Sequence, residues 1–233
     1  MEAGGDWVLM QVDSLWDRYL LNPAAWGSVS LAIGGGWYVS QVIRGITRPN
    51  QATWMIWAAM ALVVGFSFGF TKPDDIKLLV YVALCEMLLV ALLSFKYGER
   101  KPADGTERVC IAVTAAALVI WVIMYFTLGA TQSARTLLGI ELLVFCYGAV
   151  PTLIKAWHEP EYEGRGPWAF ALVGLVLGLV DVIGSKDPNI SFAEDMFSAR
   201  FEVWAYALVM LFVVDGPIAL VLMFRGDSKR GAA

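Results

Sequence analysis

The chain has 233 residues, of which 58% are hydrophobic and only 16% charged, and its formal net charge is −4. So apolar a composition excludes an ordinary water-soluble domain and a disordered chain, and the weak acidic balance, with no dense Lys/Arg run, excludes a nucleic-acid surface. The expectation is an all-α integral membrane protein with several spans.

Residues 1–25 come first. Asp6-Trp7-Val8-Leu9-Met10-Gln11-Val12-Asp13-Ser14-Leu15-Trp16 repeats apolar and acidic positions at helical spacing, which predicts an amphipathic helix on the membrane surface; a loose acidic tail is the alternative. The opening Met1-Glu2-Ala3 is no myristoylation signal and no cleavable leader follows, so the first hydrophobic helix is expected to do the targeting. Seven candidate spans succeed it: about Trp26 to Ile43, Ala52 to Phe70, Ile76 to Phe95, Val109 to Gly129, Thr136 to Ile154, Trp168 to Gly184 and Val203 to Phe224. Each has the length that a hydrocarbon layer of about 30 Å requires at about 1.5 Å per residue. The fourth is the central one. Its twenty-one residues carry no charge and divide the chain into two halves. Two connections are long: the charged linker Lys96 to Arg108, and Ser185 to Glu202, which reads as an ordered surface loop or short helix.

Counting Lys and Arg on the two sides of these spans gives eleven on one and six on the other. The richer side should be cytoplasmic, with the amino terminus outside and the carboxyl terminus inside, in a cell or inner membrane. Cys85, Cys110 and Cys146 fall in apolar runs and read as small packing residues, neither bridges nor metal ligands.

The two halves correspond weakly but repeatedly. An offset of 111 sets Arg44 on Lys155 and Arg48-Pro49 on Glu159-Pro160; an offset of 114 sets Trp54 on Trp168; an offset of 129 sets Phe95-Lys96 on Phe224-Arg225 and Glu86 on Asp215. The reading is two parallel three-helix repeats, 26–95 and 136–225, joined by 96–135, which holds a cytoplasmic linker and the central helix, and followed by a cytoplasmic tail, 226–233. Three helices, one helix and three helices in this order resemble the SWEET and PQ-loop transporter superfamily over nearly the whole chain. Where PQ-loop proteins carry Pro-Gln near the end of the first and fifth helices, this chain has Ser40-Gln41 and Pro151-Thr152, half of the signature each time. The resemblance implies a carrier of small solutes, some of which are proton-coupled, and it extends to the related PnuC-type vitamin carriers. It also implies gating roles for Gln41 and Pro151. SWEET-like carriers tend to place amides on their third and seventh helices, so Glu86 and Asp215 would turn a sugar pocket into one for cations or protons.

Glu86 and Asp215 each lie deep inside a span. A carboxylate there costs about 2.5 to 3.5 kcal/mol on insertion scales unless it meets a cavity, a partner or a proton. The plainer alternative is that each bonds to backbone or hydroxyl in a closed bundle. Asp181 and Glu141 are two further acids inside spans, with Ser67 and Ser30 as their counterparts. No Lys or Arg stands near the middle of any span, so protons or a positively charged solute must balance these acids. Trp57 lies deep enough to wall a pocket, whereas Trp54 and Trp168 read as an interfacial belt. Gly34-Gly35-Gly36, Gly174, Gly178 and Gly184 suit either close packing or hinging. Gly216-Pro217, directly after Asp215, should break the seventh helix beside the acid.

No embedded lysine offers a retinal Schiff base, and no zinc, nucleotide or Ser-His-Asp pattern appears; His158, among Glu159, Glu161 and Glu163, reads as part of a solvated acidic loop. Neither enzyme, cofactor nor metal is expected. Two functions remain: a small-solute carrier working by alternating access, or a non-transporting membrane subunit or receptor docked in a larger complex through the amino-terminal segment and the Ser185 to Glu202 loop. The partners expected are the lipid bilayer and a small solute, with a homo-oligomer or a larger membrane complex both open and no nucleic acid.

Overall fold

The computed structural model describes residues 22–71, 74–99, 104–128, 130–184 and 207–230. Among these, every regular element is helical: α1 (Pro23–Ile43), α2 (Gln51–Thr71), α3 (Asp74–Tyr97), α4 (Gly105–Leu128), α5 (Ala130–His158), α6 (Arg165–Gly184) and α7 (Gly216–Arg230). A short 3-10 turn, Pro160–Tyr162, joins α5 to α6, and a π-helical turn, Met210–Asp215, leads into α7. Among the described residues three helical stretches are long and apolar enough to cross a membrane: Gly105–Leu128, Ile140–His158 and Ala207–Arg225; Gln51–Gly65 is a shorter apolar helix. The amphipathic segment expected over residues 1–25 lies almost wholly outside the described residues, as does the loop from Ser185 to Glu202.

Polar side chains set the helix ends. Asn22 caps α1 by accepting from the amides of Ala24 and Ala25 at 2.8 and 3.4 Å, with Pro23 at the first helical position. At the other end Gly45 takes a φ of 71°, and the amides of Gly45 and Ile46 return to the carbonyls of Val42 and Gln41 at 3.0 Å each. That is a Schellman stop, and the left-handed residue it needs is glycine. Asn50 begins α2 by accepting from the Thr53 amide at 3.0 Å, and its carboxamide donates to Glu107 Oε1 at 2.7 Å. Asp104 and Glu107 cap one another's amides at 2.8 and 3.1 Å. This capping box starts α4 four residues before the apolar run that marks it in the sequence. α5 likewise begins earlier than Thr136, because the polar residues before it contain no helix breaker.

α3 packs between α1 and α2, and α7 packs on both α5 and α6. Across the molecule α1 lies along α6, and α2 along α5, while α4 rests on α5 and α2. The α1–α6 seam is close because glycines face each other: a Cβ on Gly27 would sit 2.8 Å from the Gly174 carbonyl oxygen, and one on Gly174 would sit 2.8 Å from Leu31 Cγ. Tyr38, Trp57, Met60, Phe145, Ile218 and Leu222 fill the centre. The outward faces are as apolar as the core, with Phe126, Phe212, Phe224 and Leu92 all exposed.

Candidate functional site

Glu86 stands at the middle of α3, and its carboxyl lies against α1 where Gly35 lacks a side chain: a Cβ there would come within 2.6 Å of Glu86 Cδ. Asp215, buried at the end of the π-helical turn, is close enough for its charge to act on Glu86. Beside Glu86 a cleft of about 390 Å³ opens between α1 and α3, lined by Ala32, Gly35, Gly36 and Val39 on one side and Tyr81, Val82, Cys85, Glu86 and Leu89 on the other.

One turn along α1 from Gly35, four rings close the bundle. Tyr38 meets Trp54 and Trp168 at centroid distances of 5.0 and 6.4 Å, and Trp57 meets Trp54 and Trp168 at 5.2 and 6.2 Å. All four are buried, and most of the pairs are edge-to-face, the arrangement that ring quadrupoles favour. Trp57 also donates its indole N–H to the Phe145 carbonyl at 3.2 Å, where Gly148 leaves room for the ring. Trp57 thus belongs to this seal, and it does not line the cleft beside Glu86. Trp54 and Trp168 correct the belt reading: both are buried, because α2 turns Trp54 onto Tyr38 of α1 and α6 turns Trp168 onto Tyr38 and Trp57.

Beneath the rings sits a charged knot. Glu163 Oε2 accepts from the Tyr38 hydroxyl at 3.3 Å and from the Trp168 indole at 3.4 Å, and Glu163 Oε1 pairs with Lys155 Nζ at 3.4 Å. Lys155 also pairs with Glu99 Oε1, two residues past the end of α3, at 3.2 Å. Glu163 and Lys155 are both buried, so the expectation of a solvated acidic loop is corrected for Glu163, while His158 and Glu161 are exposed as expected. Burial raises the Glu163 pKa above the ordinary carboxylate range; Lys155 beside it, with the bonds from Trp168, Lys155 and Tyr38, opposes that rise. The two adjoining loops support the knot: the Arg48 amide donates to the Tyr162 carbonyl at 3.2 Å, and the Arg48 guanidinium stands 4.6 Å over the Tyr162 ring.

Of the residues implicated in gating, Gln41 accepts from the Thr47 hydroxyl at 3.0 Å and lies against Gly164, where a side chain would collide with it. Pro151 is buried inside α5. Gly216 has the Leu211 carbonyl where its Cβ would be, and Pro217 offers no N–H to the carbonyl of Val213, so the widened turn ends at Asp215. Glu141 is buried on α5 and Asp181 is half-buried near the end of α6. Sequence reasoning missed Tyr38, Glu99, Lys155 and Glu163. Among the described residues no three His, Cys, Asp or Glu side chains converge on a metal position. Compared with known proteins, the chain matches no family model, no curated protein and no solved structure.

Proposed function

We propose that the chain is a small-solute carrier of seven spans, in which two parallel three-helix bundles rock about a midplane site containing Glu86 and Asp215, and that its solute is cationic or its transport proton-coupled. The observation that carries this reading is the pairing of those acids. Glu86 stands at the middle of α3 and Asp215 in the π-helical turn that leads into α7, the Asp215 charge bears on Glu86, and neither acid has a hydrogen bond or ion pair to a basic side chain among the described residues. Two acids in an apolar bundle hold a proton or wait for a cation.

Two further observations support the architecture. Exchanging α1 with α5, α2 with α6 and α3 with α7 turns each contact between triplets and within them into another that is present: α1–α6 becomes α5–α2, α1–α3 becomes α5–α7, and α2–α3 becomes α6–α7. A twofold axis relating parallel repeats has that signature. The exposed apolar faces would be an aggregation hazard in water and are ordinary in lipid. In the orientation favoured by the Lys/Arg count, the ring seal and the Lys155 knot close the cytoplasmic end.

Uptake of amine and cation libraries into proteoliposomes tests the proposal. Glu86→Gln and Asp215→Asn are each expected to cut uptake by about tenfold or more, the effect of losing one charge-assisted bond. Uptake equal to that of the unaltered chain in both variants would rule the site out.

A further inference from the structure

The cleft beside Glu86 is not between the two triplets. It lies on the outer side of one of them, between α1 and α3, and its rim residues Ala32, Gly36, Tyr81, Cys85 and Leu89 are exposed. A volume of about 390 Å³ falls within the range of small-molecule sites, about 300 to 1,000 Å³. Its walls are aliphatic apart from Tyr81 and Cys85, and among the described residues no Lys, Arg or His lines it. At its floor stands one carboxyl group, brought there by the missing side chain of Gly35.

We propose that this cleft is a lateral binding site for a lipophilic amine, whose ammonium group pairs with Glu86 while its hydrocarbon part lies along Val39, Val82 and Leu89. The assignment rests on the carrier reading's placement of α1 and α3 across the bilayer, which makes the cleft mouth face hydrocarbon and not water. A hydrophilic cation would have to leave its hydration shell at that mouth. A neutral acyl chain would fill the walls and leave the acid unanswered, and burying an unpaired carboxylate is the costlier outcome. An amphiphilic amine satisfies both surfaces, and it reaches Glu86 without the ring seal opening. Glu86 is then shared between this lateral entrance and the pair with Asp215, so that the ligand arriving from lipid would be handed toward the site between the triplets.

The full-length protein in lipid nanodiscs, photolabelled with a diazirine-bearing decylamine and with the matching decanol, tests this. The amine should mark residues 32–39 and 81–89, and the alcohol should mark them about tenfold less. Glu86→Gln should bring the amine down to the level of the alcohol. Gly36→Leu, at a position where a Cβ has nothing within 4 Å, should fill the cleft and abolish labelling by the amine. Equal labelling by amine and alcohol, or amine labelling that Glu86→Gln and Gly36→Leu leave unchanged, overturns the proposal, as does label confined to other helices. Because occupancy is read without any movement of solute, the two readings fail separately: a chain that transports but is not labelled in the cleft refutes this site alone. A chain labelled there in a Glu86-dependent way that moves no solute refutes the carrier alone.

Discussion

Lys155 places an ammonium group between two carboxylates, and the arrangement makes the residue costly to lose. Removing one member of a buried ion pair leaves the other charge uncompensated, which typically costs about 3 to 5 kcal/mol. Lys155→Met should therefore lower stability by about 3 kcal/mol, seen as an earlier thermal transition in detergent, while Lys155→Arg keeps most of it; a transition unmoved by Lys155→Met would show the knot to be idle. Glu163 adds a pH dependence whose sign follows from its raised pKa. The protonated form is favoured by folding, so its contribution is complete at acidic pH, below the ordinary glutamate range, and is lost as pH climbs through the elevated native value. Glu163→Gln should flatten that decline in a pH series of unfolding curves. None of this is legible in Glu159-Pro160-Glu161-Tyr162-Glu163, which is polar enough to pass for a solvated loop. Its last acid is buried by Tyr38, 125 residues earlier in the chain. Glu86 and Asp215 stand out in the sequence, because an acid in the middle of an apolar run is conspicuous wherever its neighbours fall.

At the scale of elements, the α1–α6 seam depends on how little lies between two backbones. Gly174→Val would drive a branched side chain into Leu31 and the Gly27 carbonyl, whose distances from an added Cβ are 2.8 and 2.9 Å. Such overpacking usually costs about 1 to 3 kcal/mol. The expected result is an unfolding midpoint lowered to match, and a variant as stable as the unaltered protein would mean that the helices are free to separate there. The glycines that the sequence singled out suited packing or hinging alike; in the structure Gly174 meets Gly27, which that reading passed over, Gly35 makes room for Glu86, and Gly36 faces the cleft. Helix existence was similarly plain from apolar run length, and helix ends were not. α4 starts at a capping box outside its apolar run, and α5 extends through polar residues that neither help nor hinder a helix.

For the molecule as a whole, the order of the helices along the chain was legible. What the sequence could not convey is that Trp54 and Trp168 leave the surface, while Trp26, Trp37 and Trp157 stay exposed. Interfacial and interior indoles have the same composition signature, and only the meeting of α2 with α5, and of α1 with α6, decides between them. Their burial has an optical consequence. Trp54 and Trp57, 5.2 Å apart at 77° to each other, are near enough for their transition dipoles to couple. The resting protein should show a strong near-ultraviolet circular dichroism band, weakened by Trp57→Phe; a spectrum indifferent to that change would place the indoles elsewhere. Any rearrangement that parts α2 from α6 would dim the Trp57–Trp168 contribution, so the molecule carries its own chromophoric gauge of whether that end is shut.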